Sequence, residues 1–193
     1  MKFIGTALPG VLIVEPKVFA DARGDFSETY NKRLFEDAVG HAVQFVQENQ
    51  SRSSRGVLRG LHCQLPPHEQ GKLVRVMAGH VMDVVLDLRP ESPTCGRWIA
   101  EDLSSDNRRQ LWVPEGLAHG FLVLSESADM HYKLTDYYAP AAERCVRWDD
   151  PAVGIAWPDI GGLPLVSQKD QNGKSALAVL EEIRAAQLHK SPA

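Results

Sequence analysis

Cysteine and long apolar segments are scarce in this sequence of 193 residues. The three cysteines, Cys63, Cys95 and Cys145, lie far apart and form no C-x-x-C pair, which predicts neither a disulfide framework nor a cysteine zinc site. No stretch reaches the roughly 18 consecutive apolar residues of a membrane span. The N-terminal segment MKFIGTALPG lacks the apolar core of a signal peptide. We therefore expect a cytoplasmic protein without a membrane partner.

Cofactor motifs and strong charge patterns are also missing. No G-x-G-x-x-G follows a strand pattern and no G-x-x-x-x-G-K-S/T occurs, which disfavours nicotinamide and ATP chemistry. The 25 acidic and 21 basic residues give a net charge of -4 and form no run of like charge, so nucleic-acid binding is not predicted. An anionic ligand would therefore need a local basic pocket.

Short alternating or apolar segments, separated by glycine and proline, dominate the chain. The clearest pair is Lys72–Met77 and Val81–Leu88, joined by a turn at residues 78–80. This pattern predicts a mainly β fold, a sandwich or barrel, in one domain spanning residues 1–193. The further predicted strands are Val11–Phe19, Val43–Glu48, Val57–His62, Arg97–Ala100, Gln110–Val113, Gly120–Leu124 and Met130–Thr135.

Helices are predicted only at the margins of this β pattern. Asn31 is a candidate cap for a short helix that carries Leu34 and Phe35 and stops at Gly40. Ser175 is a candidate cap for SALAVLEEIRAAQL. Its expected apolar face consists of Val179, Leu180, Ile183 and Ala186. Residues 189–193 are expected to fray.

The segment RGLHCQ, residues 59–64, holds the first candidate proton carrier, His62. Strand alternation puts His62 and Gln64 on one face and Cys63 on the other, which argues against a Cys63–His62 nucleophile pair. A bulge at Gly60 would bring Arg59 to the His62 side. The alternative, a strand histidine satisfied only by structural hydrogen bonds, stays open on this segment alone.

The segment PEGLAHGF, residues 114–121, resembles the second sequence motif of the cupin superfamily, in which the histidine, here His119, lies inside the barrel. Metal-binding cupins add an H-x-H pair, but the corresponding position here reads His62-Cys63-Gln64. Because zinc and iron sites need about three protein ligands, the sequence predicts that no metal is bound.

Three further polar residues are candidates for chemistry. Lys72 shares a strand face with Val74 and Val76, which a barrel would bury, and a buried cation can stabilise an enolate oxygen. Tyr132 can pack in the core or donate a proton. Asp170 in the SQKD loop can orient a histidine, although the sequence pattern alone does not pair it with His62.

These segments together resemble the dTDP-4-dehydrorhamnose 3,5-epimerase family. The resemblance runs from DARGDFSETY through QENQSRSSRGVLRGLHCQ, QGKLVRV, SPTCGRW, LWVPEGLAHGFLVLSE and YKLTDYY to WDDPAVGIAWP, and so covers most of the chain. It implies a cupin-type antiparallel β-barrel (jelly roll), a homodimer, no cofactor, and action on the small molecule dTDP-4-dehydro-6-deoxyglucose. Cys95 departs from the aromatic residue that the family often has, and Cys63 falls where residues vary; neither has an implied catalytic role.

The resemblance also implies roles for individual residues. His62 matches the base that removes the C3 and C5 protons, and Asp170 the carboxylate that polarises it. Lys72 matches the cation at the enolate oxygen, and Tyr132 the acid on the opposite face. The implied substrate-binding residues, some supplied by a partner subunit, are Arg23, Phe26, Glu28, Gln47, Asn49, Arg59, His119, Tyr138 and Glu143.

Three alternatives remain at the level of sequence. A single-site epimerase that acts at C3 or C5 of a related dTDP-4-keto-6-deoxysugar would share these motifs. A metal-dependent cupin would use His62, His119 and a carboxylate. A non-catalytic barrel would bind the dTDP-sugar without exchanging its protons.

Overall fold

The computed structural model describes residues 1–188, which form a mainly antiparallel β structure with helices at its edges. The predicted fraying of residues 189–193 lies outside this range. The strands are β1 (Lys2–Gly5), β2 (Leu12–Glu15), β3 (Val18–Asp21), β4 (Gly24–Ser27), β5 (Gln47–Ser54), β6 (Val57–Gln64), β7 (Lys72–Ala78), β8 (His80–Asp87), β9 (Trp98–Ser104), β10 (Gln110–Val113), β11 (Leu117–Val123), β12 (Ser127–Leu134), β13 (Glu143–Cys145) and β14 (Leu165–Val166). The helices are α1 (Lys32–Val39), α2 (Gln168–Gln171) and α3 (Ala176–Leu188).

Two sheets make up the barrel. The first has the strand order β1-β2-β10-β7-β12-β5, and the second has the order β13-β6-β11-β8-β9, with β14 added in parallel to β6. Strands β3 and β4 form a separate hairpin. The neighbouring strands within the two main orders pair antiparallel, which confirms the predicted antiparallel barrel.

The core has three layers. Apolar side chains of both sheets, such as Val74, Val85 and Phe121, fill the barrel interior. Helix α3 covers the outer face of the second sheet, and α1 covers that of the first. The central strands are therefore covered on both faces, which explains why six of the eight residues of β8 are buried rather than only alternate ones.

Both longer helices begin where the sequence predicts. The Asn31 side chain accepts a hydrogen bond from the Leu34 amide at 3.3 Å, and α1 ends at Gly40 in the left-handed region. The Ser175 hydroxyl accepts a bond from the Ala178 amide at 3.3 Å. Val179 and Ile183 are the buried residues of α3. None of the helices within residues 1–188 has the length and apolar character that crossing a membrane requires.

Two strand predictions are wrong. The predicted strand Val11–Phe19 is two strands, β2 and β3, because Pro16 between them has no amide hydrogen to continue the ladder. The predicted strand Val43–Glu48 is mostly a loop, and β5 starts only at Gln47. Val43 is apolar because it packs beside Phe35 against the outer face of the first sheet. The short strands β1, β4, β13 and β14 and the helix α2 were not predicted.

A buried carboxylate fixes the loop that follows β8. Asp87 accepts hydrogen bonds from the Arg89 guanidinium at 2.7 Å, from Ser92 Oγ at 2.6 Å and from Thr94 Oγ1 at 2.6 Å. Burial opposes the charge of this carboxylate, but the hydrogen bonds outweigh burial and lower the pKa of Asp87 to about 2. The loop therefore depends on an ionised aspartate.

Candidate active site

A cavity of about 720 Å³ lies between the two sheets, a volume that suits a small-molecule ligand. The second sheet contributes Arg59, His62 and His119 to its wall, and the first contributes Lys72 and Tyr132. Residues that are far apart in sequence thus converge because each lies on the interior face of its own strand.

A β-bulge in β6 aims two of these side chains into the cavity. His62 pairs with His119 and Arg59 with Phe121, so that Gly60 and Leu61 together oppose a single residue of β11. The bulge places Arg59 and His62 on the same cavity wall, as the sequence predicts. It requires glycine because Gly60 has φ +112° and a Cβ there would lie 2.7 Å from the Cα of Gly120.

His62 is held by a buried carboxylate behind it. Its Nε2 lies 2.6 Å from Oδ1 of Asp170, whose Oδ2 accepts the Gly60 amide at 3.3 Å. Burial alone would raise the pKa of Asp170, but the bonds from His62 and Gly60 hold it below its ordinary value. An ionised Asp170 accepts the Nε2 proton, which leaves Nδ1 of a neutral His62 as the nitrogen that can accept another proton.

Lys72 presents a buried ammonium group to the cavity. It lies on the face of β7 that carries Val74 and Val76, as predicted, and is 7% exposed. Within the described residues its Nζ has no hydrogen-bond partner. Burial lowers the pKa of Lys72. Such a group gains a partner when an oxygen with negative charge enters the cavity.

A second histidine–aspartate pair and a tyrosine lie nearby. Nε2 of His119 lies 2.8 Å from Oδ2 of Asp83, and both side chains are buried. The ring of Tyr132 packs edge-on against His119, with centroids 6.3 Å apart. The Tyr132 hydroxyl lies 3.1 Å from Ser51 Oγ. Burial raises the pKa of Tyr132 to about 12, so its hydroxyl keeps a proton at neutral pH.

Polar groups form another part of the cavity wall. The Tyr138 hydroxyl donates to Glu143 at 2.9 Å, and Lys169 Nζ donates to the same carboxylate at 2.8 Å. Burial opposes the charge of Glu143, yet the bonds from Lys169 and Tyr138 lower its pKa. The side chain of Gln47 links Asn49 to the Tyr138 amide. These residues all line the cavity.

Three of the predicted substrate-binding residues lie elsewhere. Arg23 and Phe26 belong to the exposed β3–β4 hairpin, and Glu28 follows it. They do not line the cavity in this single chain. Arg23 instead pairs with Asp21 at 2.6 Å, and Glu28 accepts a bond from Asn31 at 3.2 Å.

Sequence reasoning missed Asp83, Ser51 and Lys169 as parts of the site. The signal for Asp83 was present, because an acidic residue on the Val81 face of β8 needs a buried partner. Ser51 lies in β5, whose residues are all polar, so no alternation of apolar and polar residues shows which of them face the interior. Lys169 directly precedes Asp170, but no pattern shows that α2 returns to the cavity.

The metal-dependent alternative needs His62 and His119 to converge with one carboxylate. The structure instead gives each histidine its own carboxylate, Asp170 and Asp83 respectively. In residues 1–188, His119 belongs to no group of three or more side chains with the proximity that ligands of one metal ion require.

The arrangement can move protons at a carbon next to a carbonyl group. An imidazole paired with a carboxylate can remove the proton, a buried ammonium can hold the resulting oxyanion, and a protonated phenol can return a proton. These groups line one cavity of an antiparallel barrel. The fold and the site together define a cupin-type enzyme of the isomerase class.

The chain belongs to the dTDP-4-dehydrorhamnose 3,5-epimerase family, whose model matches residues 5–177. A dTDP-4-dehydrorhamnose 3,5-epimerase of Pseudomonas aeruginosa is 55% identical over 175 residues, which cover 91% of this chain and 96% of the relative.

Two solved structures are similar over nearly the whole chain. A dTDP-6-deoxy-D-glucose-3,5-epimerase of Legionella pneumophila in complex with dTDP-4-keto-L-rhamnose has a TM-score of 0.89 and 45% identity, covering 94% of this chain and 96% of its own. A 3'-monoepimerase of Streptomyces bikiniensis in complex with dTDP-quinovose has a TM-score of 0.84 and 33% identity, covering 95% and 98%. The family assignment and the fold predicted from the sequence are thereby confirmed.

Proposed function

We propose that this chain epimerises dTDP-4-dehydro-6-deoxy-D-glucose at C3 and C5 to dTDP-4-dehydro-L-rhamnose, a step of dTDP-L-rhamnose biosynthesis. The observation that carries this proposal is the His62–Asp170 pair at 2.6 Å, beside a cavity lined by the Lys72 ammonium, which has no hydrogen-bond partner among residues 1–188. A base and an oxyanion partner are the two groups that proton removal beside a ketone requires.

Each epimerisation then consists of two proton transfers. Nδ1 of His62 takes the proton from the carbon next to the C4 ketone, and the electron pair moves to the ketone oxygen as an enolate. Lys72 stabilises this oxygen. Tyr132 returns a proton to the opposite face at C5, which inverts that carbon, whereas solvent returns the proton at C3. After each step the phenolate regains its proton from solvent, and His62 releases the proton that it removed to solvent.

Binding of the dTDP group uses the remaining cavity residues. Arg59 can donate two parallel hydrogen bonds to the pyrophosphate, and its Nε already donates to Ser53 at 3.0 Å. Gln47, Asn49 and Tyr138 offer amide and aromatic groups on the same wall. His119 and Glu143 complete the proposed set of binding residues.

The proposed active unit is a homodimer in which the β3–β4 hairpin of one subunit reaches the cavity of the other. Exposed Phe19 and Phe26, 52% and 69% exposed, support this proposal. This exchange of the hairpin would bring Arg23, Phe26 and Glu28 to the substrate in the partner's cavity. Mixing an inactive Arg23→Ala variant with an inactive His62→Ala variant should then restore activity, because one site of each mixed dimer is intact. No recovery after subunit exchange would contradict the shared site.

We place the enzyme in the cytoplasm. The three cysteines are free thiols in the structure, as is usual for proteins of a reducing compartment.

Proton exchange in D₂O tests the reaction directly. The purified protein is incubated with dTDP-4-dehydro-6-deoxy-D-glucose and EDTA, and the label is located by proton NMR and mass spectrometry. Deuterium at both C3 and C5 is expected. Label at one carbon would favour the single-site alternative, which the similarity to the 3'-monoepimerase makes worth testing. No label at either carbon would contradict an epimerase.

A further inference from the structure

A thiol lies beside the histidine–aspartate pair. Cys145 on β13 is the cross-strand partner of His62 on β6. Its Sγ lies 3.5 Å from Oδ1 of Asp170, the same oxygen that contacts His62 Nε2 at 2.6 Å. One ligand atom of each of the three side chains, an imidazole nitrogen, Sγ and a carboxylate oxygen, lies within 4.8 Å of the other two. The proposed reaction makes no use of the Cys145 thiol.

We propose that His62, Cys145 and Asp170 form an inhibitory binding site for a borderline-soft divalent cation such as Zn²⁺. Imidazole, thiolate and carboxylate are the three ligand types that zinc sites in proteins use. The inhibitory effect rests on the proposed function, because it requires His62 to be the base. The binding itself does not.

The distances suit a tetrahedral ion after a small movement. Zinc bonds of about 2.0–2.3 Å place sulfur and oxygen ligands roughly 3.6 Å apart, and nitrogen and oxygen ligands roughly 3.3 Å apart. The sulfur–oxygen distance of 3.5 Å already fits. The nitrogen–oxygen distance of 2.6 Å must widen, which a shift of the His62 ring by about 1 Å achieves. Because Cys145 is partly exposed, solvent can supply the remaining position.

Metal binding and proton abstraction exclude each other at this site. On binding, Cys145 releases its proton to solvent and coordinates as a thiolate, while the single proton of neutral His62 moves from Nε2 to Nδ1. Both imidazole nitrogens are then occupied, so no lone pair remains to take a substrate proton. Burial, together with the Asp170 carboxylate, raises the pKa of Cys145 to about 12.

The test compares two conservative cysteine variants. In Cys145→Ser the hydroxyl can still donate to Asp170, but the soft ligand is lost. Cys95→Ser is the matched control, because Cys95 is also partly exposed and lies in the loop between β8 and β9. Each protein is stripped with EDTA and then titrated with ZnCl₂, and inhibition is expressed relative to the stripped rate of the same variant. Titration with CoCl₂ follows the near-ultraviolet thiolate-to-cobalt band.

Zn²⁺ should inhibit the parent protein and Cys95→Ser equally, and EDTA should reverse this inhibition. Both proteins should also show the cobalt band. For Cys145→Ser the inhibition constant of Zn²⁺ should rise at least about tenfold, and the band should vanish. Equal inhibition of both variants, or a band that persists in Cys145→Ser, would overturn the site. A parent protein that shows the Cys145-dependent band but has no epimerase activity would refute the proposed function alone.

Discussion

Asp170→Asn tests whether the carboxylate behind His62 sets the proton position on its ring. The substitution keeps the size of the side chain but replaces one oxygen by an NH₂ group. In the native protein one oxygen of Asp170 meets His62 Nε2 and the other meets the Gly60 amide. An asparagine has one acceptor for these two donors, so one of them must be lost.

Both orientations of the new amide impair the base. If its oxygen faces Gly60, its NH₂ group donates to His62 Nε2, and the imidazole proton moves to Nδ1, where the substrate proton should arrive. If its oxygen faces His62, the Gly60 amide opposes an NH₂ group, which costs about 1–3 kcal/mol. The competent orientation is then populated roughly 5-fold to 150-fold less. Loss of the negative charge that stabilises the imidazolium adds to this, so kcat should fall by about 10²–10⁴-fold.

The assay is the initial rate of deuterium incorporation at C3, measured with saturating substrate. The control is Asp149→Asn, which changes an exposed carboxylate that pairs with Arg147 and not with a cavity residue. Circular dichroism and the unfolding midpoint check that the variant folds. An Asp170→Asn protein within about threefold of the parent rate would refute the argument that this hydrogen bond sets the tautomer.

Three other substitutions test separate parts of the structure. Tyr132→Phe keeps the packing against His119 but removes the acidic hydroxyl, so exchange at C5 should fall by about 10²-fold while exchange at C3 survives; exchange rates at C3 and C5 that both equal those of the parent protein would make Tyr132 a packing residue only. Lys72→Met removes a buried charge that has no hydrogen-bond partner in the part of the chain that the structure describes, so the free energy of unfolding in urea should rise by about 1 kcal/mol while kcat falls at least about 10²-fold; a loss of stability would mean that the ammonium has a hydrogen-bond partner in solution. Folding lowers the pKa of Asp87 from 3.8 to about 2, so this carboxylate contributes about 2 kcal/mol to the free energy of unfolding above pH 4, and the contribution is lost as the pH falls through 2. In urea titrations at stepped pH, the free energy of unfolding of Asp87→Asn should lack this part of the dependence on acid.

Local strand geometry could be predicted from sequence because alternation has a fixed period. The position of Lys72 beside Val74 and Val76, and the bulge at Gly60, follow from rules that involve only neighbouring residues. The caps Asn31 and Ser175 are equally local. These features required no knowledge of how the strands pair.

Contacts between distant segments could not be predicted in this way. Asp170 reaches His62 only because β14 runs parallel to β6 and leads directly into α2, and a two-residue strand leaves no periodic signal. Cys145 lies beside His62 through the equally short strand β13. The position of the β3–β4 hairpin outside the cavity also depends on tertiary packing, so the roles of Arg23, Phe26 and Glu28 remain predictions.

The contact between β6 and β11 has a consequence for how this protein can evolve. A Cβ on Gly60 would meet the carbonyl oxygen of His119 at 2.7 Å, and a Cβ on Gly120 would meet that of Arg59 at 2.6 Å. Both obstacles are backbone atoms, so no rotamer change elsewhere relieves them. Because glycine is already the smallest residue, a larger side chain at one position cannot be compensated by a smaller one at the other. Two residues without side chains thus restrict the substitutions that this pair of strands can accept.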